Sequence, residues 1–321
     1  MSDYGPAPAG AYSRGADRGM GFGGDGGTPL ATEAQEHIYL HERVQAASEF
    51  PRPDETRIFV VANQKGGVGK TTTTVNVAAA LASRGLQVLV VDLDPQGNAS
   101  TALNIEHTEG TPGVYEALVE GRPMGELVRP CPEVEGLTVL PASIDLAGAE
   151  IELVSLVARE TRLDKALQAY LQGREAAGAR IDYVLIDCPP SLGLLTINAM
   201  VAGREVLIPI QCEYYALEGL GQLIRSIELI RAHLNPQLKI STILLTMYDA
   251  RTKLSAGVAE DVRHHFADSV LKTAIPRSVR ISEAPSYRQT VLTYDGSSSG
   301  ALSYLEAARE ITEALTKEQQ S

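Results

Sequence analysis

Residues 64 to 72 read Gln-Lys-Gly-Gly-Val-Gly-Lys-Thr-Thr. Two lysines, three glycines and two threonines at these offsets can hold a polyphosphate. Glycine lets the backbone turn its N–H groups inward with no Cβ in the way. A helix N-terminus behind such a loop adds partial positive charge. Lys70 would reach the β- and γ-phosphates of a nucleoside triphosphate, and Thr71 would offer its hydroxyl to Mg²⁺. The run departs from the pattern G-x-x-x-x-G-K-[ST] at its first position, where Gln64 replaces glycine, and it adds a second lysine, Lys65.

Two carboxylate sites follow. Asp92-Leu93-Asp94-Pro95-Gln96-Gly97-Asn98 closes an apolar run with two acids and a tight turn. A carboxylate there can orient an attacking water or hold the waters of a metal ion. Tyr183-Val184-Leu185-Ile186 ends in Asp187, as a Walker B strand does. A strand-end aspartate alone would more often cap the next helix; the neighbouring phosphate loop favours chemistry.

These groups need a scaffold that brings strand ends together. Ile58 to Ala62 precedes the glycine loop as a β-prone run, and Thr73, Val75, Val77, Ala78 and Leu81 follow it at helical spacing. Further apolar runs lie at 88–91, 137–140, 183–186, 206–208, 240–245 and 270–275. They are continuous rather than alternating, which marks strands buried on both faces of a parallel sheet. Helical segments separate them, such as Leu217 to His233 and Ser255 to Phe266. The pattern predicts an α/β fold with a doubly wound, mostly parallel sheet flanked by helices, in which ligands bind at the carboxyl ends of the strands.

Residues 1 to about 32 are rich in Gly, Ala, Ser, Pro and Asp, a composition that cannot offset its ordering entropy. Residues 33 to 48 predict a weakly amphipathic helix, broken by Pro51 and Pro53. The division is therefore a disordered tail over 1–55 and one nucleotide-binding domain over 56–321. Cys131, Cys188 and Cys212 are odd in number and form no C-x-x-C pair, which argues against disulfides and zinc and suits a reducing cytosol. No run of 18 apolar residues exists, so no membrane insertion is expected. The net charge of −12 argues against a nucleic-acid binder on the whole-chain sum. Residues 251 to 290 run against that sum, with seven basic side chains and four acidic ones, a net +3. Such an island suits weak, non-specific phosphate contacts with double-stranded DNA.

Taken in order, Lys65 to Thr72, Asp92 to Ser100, Asp187 to Gly193, Pro209 to Gly219, Leu244 to Thr252 and Ile275 to Pro285 resemble the motifs of the ParA-type (Soj-like) chromosome-partitioning ATPases, the deviant Walker A branch of P-loop NTPases. The resemblance runs from about Arg57 to the C-terminus. It implies a homodimer that encloses ATP and Mg²⁺. Gly66, Gly67, Val68, Gly69, Lys70, Thr71 and Thr72 would cradle the phosphates, and Lys65 would cross to the partner subunit's nucleotide. Asp94 would position the attacking water, and Asp187 would support Mg²⁺. Pro276 and Ser278 fall where the family contacts adenine, although many relatives carry Asn at the second position. Arg251 and Arg280 fall where it has DNA-contacting arginines. The implied partner is a ParB-type centromere-binding protein, and the implied location is cytoplasmic and nucleoid-associated. A relative that positions a plasmid or a protein cluster would share every motif. A membrane-bound regulator of the MinD type would need a basic amphipathic C-terminal helix, whereas Glu306 to Ser321 is acidic.

Overall fold

The computed structural model describes residues 49 to 318 apart from Tyr215. The tail and the candidate helix at 33 to 48 lie outside the described residues. Eight strands form one sheet: β1 (Arg57–Val61), β2 (Val88–Asp92), β3 (Arg129–Pro130), β4 (Leu137–Leu140), β5 (Tyr183–Asp187), β6 (Glu205–Gln211), β7 (Lys239–Tyr248) and β8 (Val270–Pro276). Their order is β3-β4-β2-β5-β1-β6-β7-β8. Every pairing is parallel except β3 with β4. Each apolar run read as a strand is one. β3 was not anticipated, because two residues ending in a proline carry no periodic signal.

The helices are α1 (Lys70–Ala82), α2 (Asn98–Ala102), α3 (Met124–Leu127), α4 (Leu146–Leu153), α5 (Arg162–Ala176), α6 (Leu194–Ala202), α7 (Ala216–His233), α8 (Lys253–His265), α9 (Val279–Glu283), α10 (Val291–Tyr294) and α11 (Ser299–Glu318). α4 to α8 pack one face of the sheet, with Leu163, Leu195, Leu220 and Val262 in the apolar layer. α1, α2, α10 and α11 pack the other, with Val77, Leu81, Ala301 and Ile311. α8 starts two residues earlier than its apolar spacing suggests, because the Thr252 hydroxyl caps it by accepting from the Ser255 N–H at 3.3 Å. β8 departs from the expectation of strands buried on both faces: it is an edge strand and mostly half-buried. Glu310 of α11 covers it, accepting from the N–H groups of Lys272 at 2.7 Å and Thr273 at 2.9 Å.

The described chain packs from its first residues. Phe50 is buried and donates its N–H to the Arg84 carbonyl at 3.1 Å, and Arg52 pairs with buried Asp182 at 3.1 Å. Arg57 anchors β1 more firmly. Its guanidinium makes two bonds to Glu205 of β6, at 2.7 and 2.6 Å, donates to the Ile311 carbonyl of α11 at 2.8 Å, and stacks over the Phe59 ring at 4.6 Å. One cation thus ties two central strands to the last helix.

Candidate functional site

The strand order sets the site. β1 and β2 both flank β5, and the register puts Val61, Asp92 and Asp187 side by side at the carboxyl ends of three adjacent strands. The chain leaves β1 there and enters the glycine loop. Gly67 and Gly69 take the left-handed backbone region, φ +74° and +88°, where a side chain is strained. A Cβ on Gly66 or Gly67 would meet nothing within 4 Å, so the crest of the loop is open to a ligand. Asn63 braces its start: the side-chain amide donates to the Pro209 carbonyl at 2.8 Å, and its oxygen accepts from the Lys65 N–H at 3.0 Å. Thr246 of β7 braces the far side by donating to the Val68 carbonyl at 2.8 Å. Thr71 and Thr72 lie in the first turn of α1, whose N-terminus opens on the loop.

The two lysines differ. Lys70 is buried and folds back to donate to the Lys65 carbonyl at 3.2 Å. Burial lowers its pKa, against the attraction of Asp187 and Asp94, and a bound anion would favour the charged form. Lys65 instead pairs with Glu213 at 3.0 Å, the Lys65 side chain keeping 38 % of its exposure.

Asp92 and Asp187 are fully buried neighbours. Asp92 accepts from the Ser100 N–H at 2.8 Å, the Ser100 hydroxyl at 2.7 Å and the Asp94 N–H at 3.2 Å. It is therefore a structural acid that shapes the turn. Asp187 accepts from Thr74 Oγ1 at 3.0 Å, while its Oδ2 has no hydrogen-bond partner. Burial raises both carboxyls above the usual range, and for Asp187 the charge of Asp92 adds to it. Asp94 is half-buried and caps its own turn by accepting from the Gln96 N–H at 3.0 Å.

An orphaned, buried carboxylate oxygen on the strand that faces the phosphate loop fits a hard divalent cation. Among the described residues no cluster of three His, Cys, Asp or Glu could hold a metal. Asp187 could hold such an ion together with oxygens of a bound phosphate.

The remaining site residues lie on the same sheet edge. Pro276 closes β8 beside Tyr248 of β7, and Ser278 precedes α9. Arg251 follows β7 and bonds Asp249 twice, at 2.8 and 2.9 Å. Arg280 on α9 pairs with Asp295 at 3.3 Å and Glu283 at 3.5 Å. Both arginines are exposed yet already face carboxylates. Cys188 is buried, and burial with the Asp187 charge pushes its thiol well up. Sequence reasoning assigned no role to Ser100, Asn63, Thr246 or Glu213. Glu213 lay inside a quoted motif, but no local pattern says which cation it meets.

A sheet of this order with a glycine loop after β1 and an aspartate ending β5 defines a P-loop nucleoside triphosphatase. A family model described as an AAA domain matches residues 56–240. The sporulation initiation inhibitor protein Soj of Bacillus subtilis is 52 % identical over 255 residues, covering 79 % of this chain and 98 % of that protein. The chromosome partitioning protein ParA of Myxococcus xanthus is 51 % identical over 255 residues, covering 79 % and 87 %. Among solved structures, a Mycobacterium smegmatis protein described as cobyrinic acid a,c-diamide synthase, with bound ATP analog and magnesium, is 40 % identical with a TM-score of 0.68, covering 83 % and 96 %. The cell division ATPase MinD of Pyrococcus furiosus is 27 % identical with a TM-score of 0.64, covering 80 % and 98 %. The chain belongs to the ParA/Soj family of chromosome-partitioning ATPases, and it is an ATPase. No helix among the described residues is long and apolar enough to cross a membrane.

Proposed function

We propose that this ATPase is a dimerisation switch for chromosome segregation. Two subunits enclose two ATP molecules, and each Lys65 crosses to the opposite triphosphate. The observation that carries this reading is the division of labour between the lysines. Lys70 is buried and bonded within its own loop, whereas Lys65 is partly exposed and its head meets Glu213 in a partly exposed ion pair. A second cation against triphosphate couples the nucleotide state to subunit association. The dimer binds double-stranded DNA non-specifically through Arg251 and Arg280, works with a ParB-type centromere-binding protein, and resides on the nucleoid in the cytoplasm.

The backbone N–H groups from Gly66 to Thr72 and the Lys70 ammonium bind and orient the phosphates, and Pro276 and Ser278 border the base. Asp94 holds the attacking water. The water oxygen bonds to the γ-phosphorus as the bridging oxygen leaves with ADP. The Thr71 hydroxyl, and Asp187 through a water, would hold Mg²⁺, which would supply neutralisation of charge on the phosphate oxygens. Loss of the γ-phosphate then removes the anchor of the partner's Lys65 and frees the dimer.

Amide synthesis with ammonia taken from glutamine by a cysteine would need an accessible thiolate. All three cysteines here are buried, which argues against that chemistry. Positioning of another cargo uses the same switch, and a ParB-type protein that accelerates hydrolysis on DNA separates the two. Light scattering of Lys65→Ala tests the core of the proposal. The variant should bind ATP and stay monomeric; a normal ATP-dependent dimer would refute the crossing lysine.

A further inference from the structure

Glu213 stands at the end of β6, next to β1, on the sheet edge that bears the glycine loop. Its Oε2 meets Lys65 Nζ at 3.0 Å, and its Oε1 accepts from the Gln211 side-chain amide at 2.5 Å. The Glu213 N–H donates to the Gln211 carbonyl at 2.8 Å, which closes a tight turn and fixes where the carboxylate points. Lys65 is held at three points: its N–H by Asn63, its carbonyl by Lys70 and its head by Glu213. A flexible four-carbon stem that would otherwise sample solvent is thereby parked against its own chain.

We infer that Glu213 is an intrasubunit latch on Lys65, a positioning residue that opposes dimerisation until ATP fills the opposite site. This inference rests on the proposed crossing of Lys65. The same ammonium cannot make its full set of contacts to Glu213 and to the partner's triphosphate, so the two compete. In the dimer the released carboxylate would also stand near the partner's anionic nucleotide, and like charges raise the cost of closure. Both effects carry the same sign. With ADP the partner offers one phosphate fewer, and the latch prevails. The turn anchored by Gln211 keeps the carboxylate in place for the lysine's return.

The pair is partly exposed, with 38 % and 45 % of the two side chains accessible. Such a pair is worth a factor of about 1.4 to 5 in an equilibrium constant. Each dimer opens two latches, so Glu213→Gln should lower the dimer dissociation constant by about 2- to 25-fold.

The test is sedimentation of full-length protein over a concentration series, with magnesium and a slowly hydrolysed ATP analogue. Glu213→Gln should dimerise more tightly than the parent, and the gap should narrow as salt rises. Glu213→Asp keeps the charge and should stay closer to the parent. Analogue affinity, read at protein concentrations where only monomer exists, should not move. A merely structural glutamate would leave the salt dependence unchanged. An unchanged or weaker dimer in Glu213→Gln, with Lys65→Ala monomeric, overturns the latch alone. A normal dimer in Lys65→Ala overturns the crossing lysine itself. If Glu213→Gln fails to fold, Gln211→Leu, which frees the carboxylate from its second anchor, must tighten the dimer in the same direction, and a null result there sinks the latch equally.

Discussion

Arg57→Met would leave Glu205 buried without its cation. The two side chains keep 12 % and 7 % of their exposure and share two bonds of 2.7 and 2.6 Å. Burial raises the Glu205 pKa, but the Arg57 hydrogen bonds and charge outweigh it, and the carboxyl is held below its ordinary value. Removing one partner of a buried pair costs about 3–5 kcal/mol. For a fold of this size that lowers Tm by roughly 6–20 °C. The double variant Arg57→Met/Glu205→Leu should recover most of the loss, because the intact pair nets little once desolvation is counted. The pH dependence has a definite sign. A depressed folded-state pKa contributes stability that is present above the unfolded value, near 4.3, and is lost as pH falls through the folded value. The gap between parent and Arg57→Met should therefore close below about pH 4, since protonated Glu205 no longer needs the cation. Urea unfolding followed by circular dichroism from pH 7 to pH 3.5 measures this. A loss under about 1 kcal/mol at pH 7, or a double variant no better than the single one, would refute the reasoning.

Lys70→Ala should lose measurable ATP binding in equilibrium dialysis, because no other ammonium is buried inside the loop. Asp94→Ala should bind ATP and dimerise yet release phosphate at least 100-fold more slowly, the usual scale for removing a positioned acid–base group; an unchanged rate in a phosphate-release assay moves the role elsewhere. DNA affinity should fall with salt at a log–log slope of about −3.6 if four arginines of a dimer each neutralise one phosphate, and the Arg251→Ala/Arg280→Ala variant should flatten it by that amount in filter binding. Because Asp249 and Asp295 already face these arginines, Asp249→Asn should tighten DNA binding in the same assay.

The glycine loop was legible because its signal is local. Left-handed backbone at Gly67 and Gly69, a strand before and a helix after are all encoded between Arg57 and Ala82. The parallel sheet was legible because strands buried on both faces carry continuous apolar runs, as Ile58 to Val61 in β1, Val88 to Val91 in β2 and Tyr183 to Ile186 in β5 do. Asp187 could be named as the end of a buried strand for the same reason. Tertiary structure alone decided who meets whom. Asp92 and Asp187 were both candidates for chemistry. Only the register of β2 on β5 makes them neighbours, and only the fold turns Ser100 onto Asp92 and leaves Asp187 Oδ2 without a hydrogen-bond partner. Lys65 and Glu213 are 148 residues apart, as are Arg57 and Glu205, and both pairs follow from β6 lying beside β1. The +3 island was correct as a count, yet its two chosen arginines are partly neutralised by Asp249 and Asp295, which lie just outside the counted window. Backbone preference and hydrophobic period act over a few residues and can be read along the chain. Charge pairing depends on distance in space, which the strand order sets.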